Sequence, residues 1–268
     1  MRNVRAEIAY DGALFHGWQR QEGFASVQGA IEDALVSLLG QVSTVHGSGR
    51  TDTGVHALRQ VANFHVETRL EDDRLRHALN AHVTKGIVIR ELETCRDDFH
   101  ARFDAVGKRY LFLTLTSRFR PPIGRKYAHW TSAALDLQKM RSAARRLIGT
   151  HDFRAFGNSG SERKTTVRKV SALRLIAHRD RFAFVIEGTG FLYNMVRTIA
   201  GTLIYVGRGK LEPSAIDRAL ATGDRTAAGP TAPACGLYLL RVLYDEPVFA
   251  DGEPGPRGRP GVMRFGAG

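Results

Sequence analysis

The sequence predicts an α+β fold of two halves, each built on antiparallel sheet. Three observations predict it. The 268 residues are enough for about two domains. Segments with apolar residues at every second position, typical of strands, alternate with segments that repeat at every third or fourth position, typical of helices. A similar order of elements occurs in both halves of the chain, without a residue-level repeat.

The first half begins with a strand over 4–10, where Val4, Ile8 and every second residue between them share one face. A helix is predicted over 26–39, because its apolar residues repeat at three and four, with Ser26 as N-cap and Gly40 as the stop. The remaining predicted elements are a short strand over 43–46, a glycine-rich loop over 47–54, a strand over 60–67, a helix over 72–79 and a strand over 86–93.

The second half opens with a strand over 108–116 and a helix over 135–148 that has a basic outer face. A hairpin follows, with strands at 167–177 and 181–187. An apolar helix is predicted over 191–206, a short one over 213–221 with Pro213 in its first turn, and a closing strand over 237–243. The predicted boundaries are therefore 1–104 for the N-terminal half and 105–245 for the C-terminal half. Residues 246–268 hold four of the nine prolines and many glycines, which predicts a flexible tail.

The composition is that of a packed protein with an unusual charge. It is 43% hydrophobic and 25% charged, which excludes a wholly disordered, collagen-like or disulfide-scaffold chain. The 39 Lys and Arg residues outnumber the 27 Asp and Glu residues and give a formal net charge of +12. Such an excess points to a polyanionic partner, either a nucleic acid or an acidic membrane surface.

Cysteine usage and hydropathy predict a cytoplasmic location. Cys95 and Cys235 are too few for a disulfide framework and lack metal-ligand spacing, so we expect buried thiols in a reducing compartment. No apolar run approaches the ~20 residues that span a bilayer, so no membrane association is expected. The N-terminus enters a strand pattern directly, which predicts a soluble, unprocessed protein.

The loop at 47–56, Gly-Ser-Gly-Arg-Thr-Asp-Thr-Gly-Val-His, is the most informative segment. It lacks the lysine of a phosphate-binding P-loop, and Asp52 stands where a dinucleotide fingerprint needs its third glycine. The histidines around it lack zinc-site spacing. Asp52-Thr53-Gly54 matches the aspartic protease triplet, whose second carboxylate could come only from a symmetric dimer. A tight turn is the structural alternative. Arg50 and Asp52 lie two residues apart, so an extended backbone would project both to one side.

This loop resembles the catalytic motif of the tRNA pseudouridine synthase A family, which forms pseudouridine in the anticodon arm. The resemblance covers nearly the whole chain up to residue 243, although position 53, often alanine in the family, is Thr53 here. The matching segments follow in the family's order and are GRTDTGVHA at 49–57, YDG at 10–12, FHGWQRQ at 15–21, SVQ at 26–28, FHAR at 99–102, KRY at 108–110, HDF at 151–153, FLYNMVR at 191–197 and APACGLYL at 232–239.

The resemblance implies two RRM/ferredoxin-like halves whose antiparallel sheets join around a central basic cleft, the pseudouridine synthase fold. It implies isomerisation of uridine at tRNA positions 38, 39 and 40 after base flipping. It also implies a homodimer that grips tRNA across both subunits. The reaction involves no net redox change and no added atom, so no cofactor and no metal is expected.

The resemblance also assigns roles to individual residues. Asp52 is the expected catalytic nucleophile, although the sequence leaves open whether it attacks the ribose, attacks the ring or removes a ribose proton. Arg197 is expected to pair with Asp52 and to lower its pKa. Arg50 is expected over the target nucleotide or its flipped-out neighbour. Tyr110 is expected to stack on the uracil and to be the base for the C5 proton, and Leu237 to form an apolar wall of the base pocket.

Basic residues interleaved with aromatic ones suit contacts to RNA phosphates. The candidates are Arg118, Arg120, Arg125 and Lys126 near Tyr127 and Trp130, the helix cations Lys139, Arg141, Arg145 and Arg146, and the run Arg163, Lys164, Arg168 and Lys169.

Two other functions are considered. A non-catalytic RNA-binding protein would have little use for a carboxylate among Arg50, Tyr110 and Arg197. A dimeric aspartic protease would gain nothing from a net charge of +12.

Overall fold

The structure is a computed structural model that describes residues 1–158, 165–246 and 248–249. Over these residues helices and strands alternate, and the strands form one mostly antiparallel sheet, so the predicted α+β class is confirmed. The helices are α1 (Val27–Leu39), α2 (Asp72–His82), α3 (Leu137–Arg146), α4 (Met195–Gly207) and α5 (Ala215–Thr222). The strands are β1 (Arg2–Tyr10), β2 (His46–Gly47), β3 (His56–Val66), β4 (Ile87–Thr94), β5 (Ala105–Thr116), β6 (His129–Thr131), β7 (Gly149–Asp152), β8 (Val167–His178), β9 (Arg181–Gly188) and β10 (Leu237–Tyr244).

The first half is a three-stranded antiparallel unit in the order β4-β1-β3, with β2 paired to β3. Helix α1 follows the predicted pattern. Val27, Ile31 and Leu35 recur every fourth residue and are fully buried. The Ser26 hydroxyl accepts a hydrogen bond from the Gly29 amide, and Gly40 ends the helix in the left-handed conformation.

The second half is an antiparallel array in the order β10-β5-β9-β8-β7, with β6 parallel to β5. Helix α4 is buried along nearly its whole length and packs against α3 and β5. Its closest approach is at Gly201, where a Cβ would lie 1.7 Å from the carbonyl oxygen of Pro230. The segment around Pro230 therefore packs directly against the backbone in the middle of α4.

The two halves share the sheet through a parallel pair between β10 and β3, in which Tyr238 lies opposite His56 and Leu239 opposite Ala57. Because β10 lies between β3 and β5, the loop before β3, the start of β10 and the middle of β5 meet at one place. The candidate site lies there.

Several element boundaries differ from prediction. Of the strand predicted over 43–46, only His46 is in a strand, because the amide of Val45 donates to the Glu32 carboxylate and the Ser43 hydroxyl to the His65 carbonyl. The apolar helix begins at Met195 and not at 191. Strand β3 begins at His56, four residues before the prediction, and the short β6 and β7 were not predicted.

The boundary between the halves at 104–105 stays a prediction. Of the predicted tail at 246–268, only 246, 248 and 249 lie within the described residues. Phe249 is buried, and its ring centroid lies 5.7 Å from the guanidinium carbon of Arg5. Both cysteines are free thiols and are half-buried, where full burial was expected. None of the described helices is long and apolar enough to cross a membrane.

Candidate active site

The loop before β3 is held by backbone hydrogen bonds at both ends. The Ser48 amide donates to the Val61 carbonyl at 2.8 Å, and the Trp18 amide donates to the Thr51 carbonyl at 3.1 Å. The hydroxyls of Tyr10 and Thr51 lie 2.8 Å apart inside the core. These bonds connect the loop to β3 through Val61, to β1 through Tyr10, and to the segment after β1 through Trp18.

Two glycines allow that close approach. A Cβ on Gly12 would lie 2.0 Å from the Val55 carbonyl oxygen. Gly17 has a φ of +96°, and a Cβ there would lie 2.6 Å from the Thr51 carbonyl oxygen. The YDG and FHGWQRQ motifs thus lie directly behind the loop and support its backbone.

A cavity of about 1240 Å³, which we call the cleft, opens in front of this loop. It is bounded by the loop, the middle of β5, the start of β10 and the residues that lead into α4. The five residues predicted for the site all line it: Arg50, Asp52, Tyr110, Arg197 and Leu237.

Asp52 and Arg197 form an ion pair in the cleft although 145 positions separate them in the chain. Nη1 of Arg197 lies 3.2 Å from Oδ2 of Asp52, and the two side chains are only 19% and 22% exposed. Nη1 also donates to Oδ1 of Asn194 at 2.8 Å, and Nε donates to the Ala232 carbonyl at 2.8 Å. Two further hydrogen bonds, to Asn194 and Ala232, therefore hold Arg197 in place while it faces the carboxylate.

Asn194 is a residue that sequence reasoning missed. It precedes the first turn of α4 with φ +61°, a conformation that asparagine adopts more readily than most residues. This conformation ends the preceding turn and directs the amide oxygen to Arg197. The available signal was the asparagine itself, lying within an otherwise apolar segment.

The electrostatics of Asp52 combine two opposed effects. Burial raises the pKa of the carboxyl, and the hydrogen bond and charge of Arg197 lower it. Burial is the larger effect, so the pKa lies above the ordinary value of 3.8. Arg197 thus favours the ionised form of Asp52 in a buried site that would otherwise favour the neutral form.

Tyr110 and Leu237 lie on neighbouring strands and form the apolar side of the cleft. They are 9% and 5% exposed, and Tyr110 lies opposite Leu239 in the β5–β10 pairing. The Tyr110 ring packs edge-on against Phe191, with 5.3 Å between centroids. Burial raises the pKa of Tyr110, and the charge of Asp52 raises it further, so the phenol is neutral.

The chain matches the model of a protein family described as tRNA pseudouridine synthase over residues 6–104 and 143–245, which is more than half of its length. It is 44% identical to tRNA pseudouridine synthase A of Thermoanaerobacter sp. (strain X514), over 91% of this chain and 100% of that protein. The corresponding protein of Acetivibrio thermocellus is 46% identical over the same shares. This chain belongs to the tRNA pseudouridine synthase family.

Members of the family are isomerases that convert uridine to pseudouridine, and this protein is an enzyme of that class. Among solved structures, a chain in a crystal structure of a Cbf5-Nop10-Gar1 complex is similar with a TM-score of 0.35 and 14% identity. That similarity covers 75% of this chain and 45% of the other.

Lys108 is a second residue of this pseudouridine synthase that sequence reasoning missed, although it lies in the KRY motif. Its Nζ donates to the Ser48 carbonyl at 2.9 Å and would lie 2.5 Å from a Cβ on Gly49. Burial lowers the pKa of Lys108 to about 8, and the charge of Arg102 adds to this effect. Lys108 and Tyr110 lie two residues apart on one strand and so share a face, which was the available signal. The ammonium group thus stabilises the loop before β3 by a hydrogen bond to its backbone.

The cleft of this pseudouridine synthase is basic. Within residues 1–158, 165–246 and 248–249, the Lys and Arg side chains that line it are Arg50, Arg102, Lys108, Arg168 and Arg197. Asp52 is thus a carboxylate in a predominantly cationic cavity.

Other predicted phosphate contacts lie outside the cleft lining. On α3, Lys139 pairs with Glu212 at 3.6 Å, and Arg146 pairs with Asp217. The cluster at 118–126 also lies outside the lining, and 163 and 164 lie outside the described residues. Contact of these side chains with RNA stays a prediction.

Proposed function

We propose that this enzyme isomerises uridine to pseudouridine at positions 38, 39 and 40 of the tRNA anticodon stem-loop, with Asp52 as catalytic nucleophile on a flipped-out base. The observation that carries the proposal is the Asp52–Arg197 pair at 3.2 Å inside a basic cleft. A carboxylate there serves binding poorly, because it repels the RNA backbone, but it serves a reaction that needs a nucleophile.

The isomerisation breaks the bond between uracil N1 and ribose C1′ and forms a bond between uracil C5 and the same C1′. The C5 proton leaves, and N1 takes up a proton, so the atoms balance without an external reactant. The enzyme must therefore supply a group that acts on the ribose or the ring, contacts that retain the free uracil, and a base for the C5 proton.

The lining of the cleft suits these three tasks. Asp52 lies beside a fixed arginine that favours its ionised form. The Tyr110 ring and Leu237 form an apolar surface against which the flat face of a uracil stacks, and the Tyr110 hydroxyl is the proposed base for the C5 proton. Arg50 is exposed at the cleft, and its proposed role is to contact the flipped nucleotide or its neighbour. The volume of about 1240 Å³ exceeds that of most small-molecule pockets, as a nucleotide still joined to its RNA requires.

The proposal includes a homodimer that holds one tRNA across both subunits, in a cytoplasmic setting. The cations at 118–126 and on α3 lie outside the cleft lining, so their contacts would be with parts of the tRNA away from the target base. Extrusion of the uridine costs a few kcal/mol, and phosphate contacts spread over the surface would offset it.

The test is tritium release from anticodon stem-loops that carry one uridine, labelled at C5, at position 38, 39 or 40. We expect release from each, with no added metal or cofactor, and none from stem-loops labelled only in the anticodon. Binding of all stem-loops without release from any would contradict the proposal.

The raised pKa of Asp52 predicts the acid limb of the pH profile. The carboxylate is active when ionised, so the rate should fall as pH decreases through its pKa, which lies above the usual 3.8. In Arg197→Gln the opposing charge is lost, and the acid limb should move to higher pH by about 1 to 3 units. The measurement is the single-turnover rate between pH 4.5 and 8.

The matched control is Arg76→Gln, which removes an arginine paired with Asp73 on the surface of α2. Its acid limb should coincide with that of the wild type. An unmoved limb in Arg197→Gln, with the rate lowered uniformly, would show that the arginine does not set the ionisation of Asp52.

A further inference from the structure

A ladder of aromatic rings lies along one rim of the cleft. The His46 and His100 rings lie 5.1 Å apart, and the His100 and Phe103 rings 4.2 Å apart. The guanidinium carbon of Arg102 lies 5.6 Å from the centroid of Phe103. All four side chains line the cleft. We call them the rim ladder.

The backbone under the rim ladder is rigid. The Ala101 amide donates to the Asn63 side chain at 2.9 Å, and the Tyr244 hydroxyl donates to the Ala101 carbonyl at 2.7 Å, both within the core. The His100 amide donates to the Asp104 carboxylate at 3.1 Å. A turn anchored in this way holds its outward side chains in place before any ligand arrives, which lowers the entropic cost of binding.

The outer end of the rim ladder is exposed. Phe103 is 74% exposed although the neighbouring Phe99 and Ala101 are buried. Burial and the nearby His100 and His65 lower the pKa of His46, so its ring is neutral at pH 7. Nδ1 of His100 accepts a hydrogen bond from the Arg102 amide at 3.1 Å, which holds the ring in place. The ladder thus presents aromatic π-faces beside one cation.

From this arrangement we infer that the rim ladder is a stacking subsite for an unpaired nucleobase of the tRNA, next to the uridine that reaches Asp52. The inference rests on the proposed function. An exposed aromatic face with an adjacent arginine matches a nucleotide, whose base stacks on the ring while its phosphate pairs with the guanidinium. The subsite is continuous with the cleft that holds Asp52, so its occupant is part of the same RNA.

The occupant is RNA in preference to a second copy of the chain because the rim ladder lines a cleft whose charged side chains are mostly cationic. Arg102 and Lys108 lie close enough for the charge of one to lower the pKa of the other. The Lys and Arg side chains that line the cleft would attract the phosphates of an RNA segment there.

The test uses anticodon stem-loops in which each unpaired loop base in turn is replaced by 2-aminopurine, a base whose fluorescence is quenched by stacking. With wild-type protein, we expect quenching at a loop position near the target. In Phe103→Ala the quenching should disappear, and the Kd for the stem-loop should rise about 5- to 150-fold. Phe103→Tyr retains the aromatic face and should restore both readouts.

The matched control is Phe119→Ala. Phe119 is also 74% exposed and also lies beside an arginine, with the guanidinium carbon of Arg118 at 5.1 Å, but it does not line the cleft. It should leave the fluorescence pattern unchanged. A Kd for Phe103→Ala within twofold of wild type, or fluorescence at every position independent of Phe103, would overturn the subsite.

Two further measurements separate a base subsite from a subunit interface and from a failure of the proposed function. If the molecular mass in solution, measured by light scattering, differed between Phe103→Ala and the wild type, the rim would be a subunit interface and the inference would be overturned. Tritium release by the wild type on the same stem-loops is scored separately. Its absence would count against the proposed function, whereas Phe103-independent fluorescence in an active enzyme would reject the subsite alone.

Discussion

Asp52→Asn should lower turnover by at least about 10⁴-fold, which is the scale of loss when an enzyme is deprived of its nucleophile. Asparagine keeps the volume of the side chain and an oxygen that can accept from Arg197, so the 3.2 Å contact has a neutral replacement. The substitution therefore removes the reactive carboxylate with little change in shape. The measurement is single-turnover tritium release, with Asp52→Ala as a second variant that also removes the acceptor.

Binding and stability should respond differently from turnover. The Kd for tRNA should stay the same or decrease, since a negative charge facing the RNA backbone is lost. The folded-state pKa of Asp52 is raised, so ionisation of this group costs native stability as pH rises through that pKa. A neutral asparagine avoids that cost, so the thermal midpoint at pH 7 should not fall. Loss of binding or folding in parallel with activity would show that Asp52 is structural.

Local features of the fold were predictable from the sequence because local physics determines them. Ser26, the four-residue apolar repeat and Gly40 delimit α1, and the structure confirms that helix. The apolar helix was predicted four residues too early, because residues 191–194 have suitable hydropathy. Only the backbone conformation of Asn194 excludes them, and composition does not report a φ of +61°.

The candidate site was predictable only from the family resemblance. Its residues come from both halves of the chain, and no periodicity relates Asp52 to Arg197. Their pairing was expected from the family resemblance, and the geometry places them in contact. Lys108 was missed because lysine in a strand is normally solvated, and its burial follows from the packing of β5 beneath the loop. The rim ladder depends on the spatial approach of residues 46 and 100, which the β2–β3 pairing brings about.

The neutral state of Tyr110 constrains the order of steps in the proposed reaction. A phenol must lose its own proton, for which uracil N1 is the acceptor in this reaction, before it accepts one from C5, and burial together with the Asp52 charge opposes that loss. When Asp52 attacks the substrate and forms a covalent bond, its charge disappears, and so does its contribution to the raised pKa. Proton removal by Tyr110 is therefore favoured after Asp52 has reacted and disfavoured before.

Tyr110→Phe separates the ring from the hydroxyl, and we expect it to lower turnover by about 10²- to 10⁴-fold, the usual contribution of general acid–base catalysis. Phenylalanine preserves the stacking surface and the edge-on contact with Phe191, so tRNA binding should be retained. Removal of the C5 proton should become the slow step. Substrate deuterated at C5 should then show a primary isotope effect that is larger than in the wild type.

Tyr10→Phe is the matched control, because it also removes a buried tyrosine hydroxyl, bonded to Thr51 in the loop before β3. Loss of that hydrogen bond should cost about 1 kcal/mol of folding free energy. No enlarged isotope effect is expected, because Tyr10 does not line the cleft. If Tyr110→Phe turned over within a few fold of the wild type, the ring alone would account for Tyr110. The C5 proton would then have to leave to another group in the cleft, and Asp52, regenerated after the new bond has formed, is the carboxylate placed to take it.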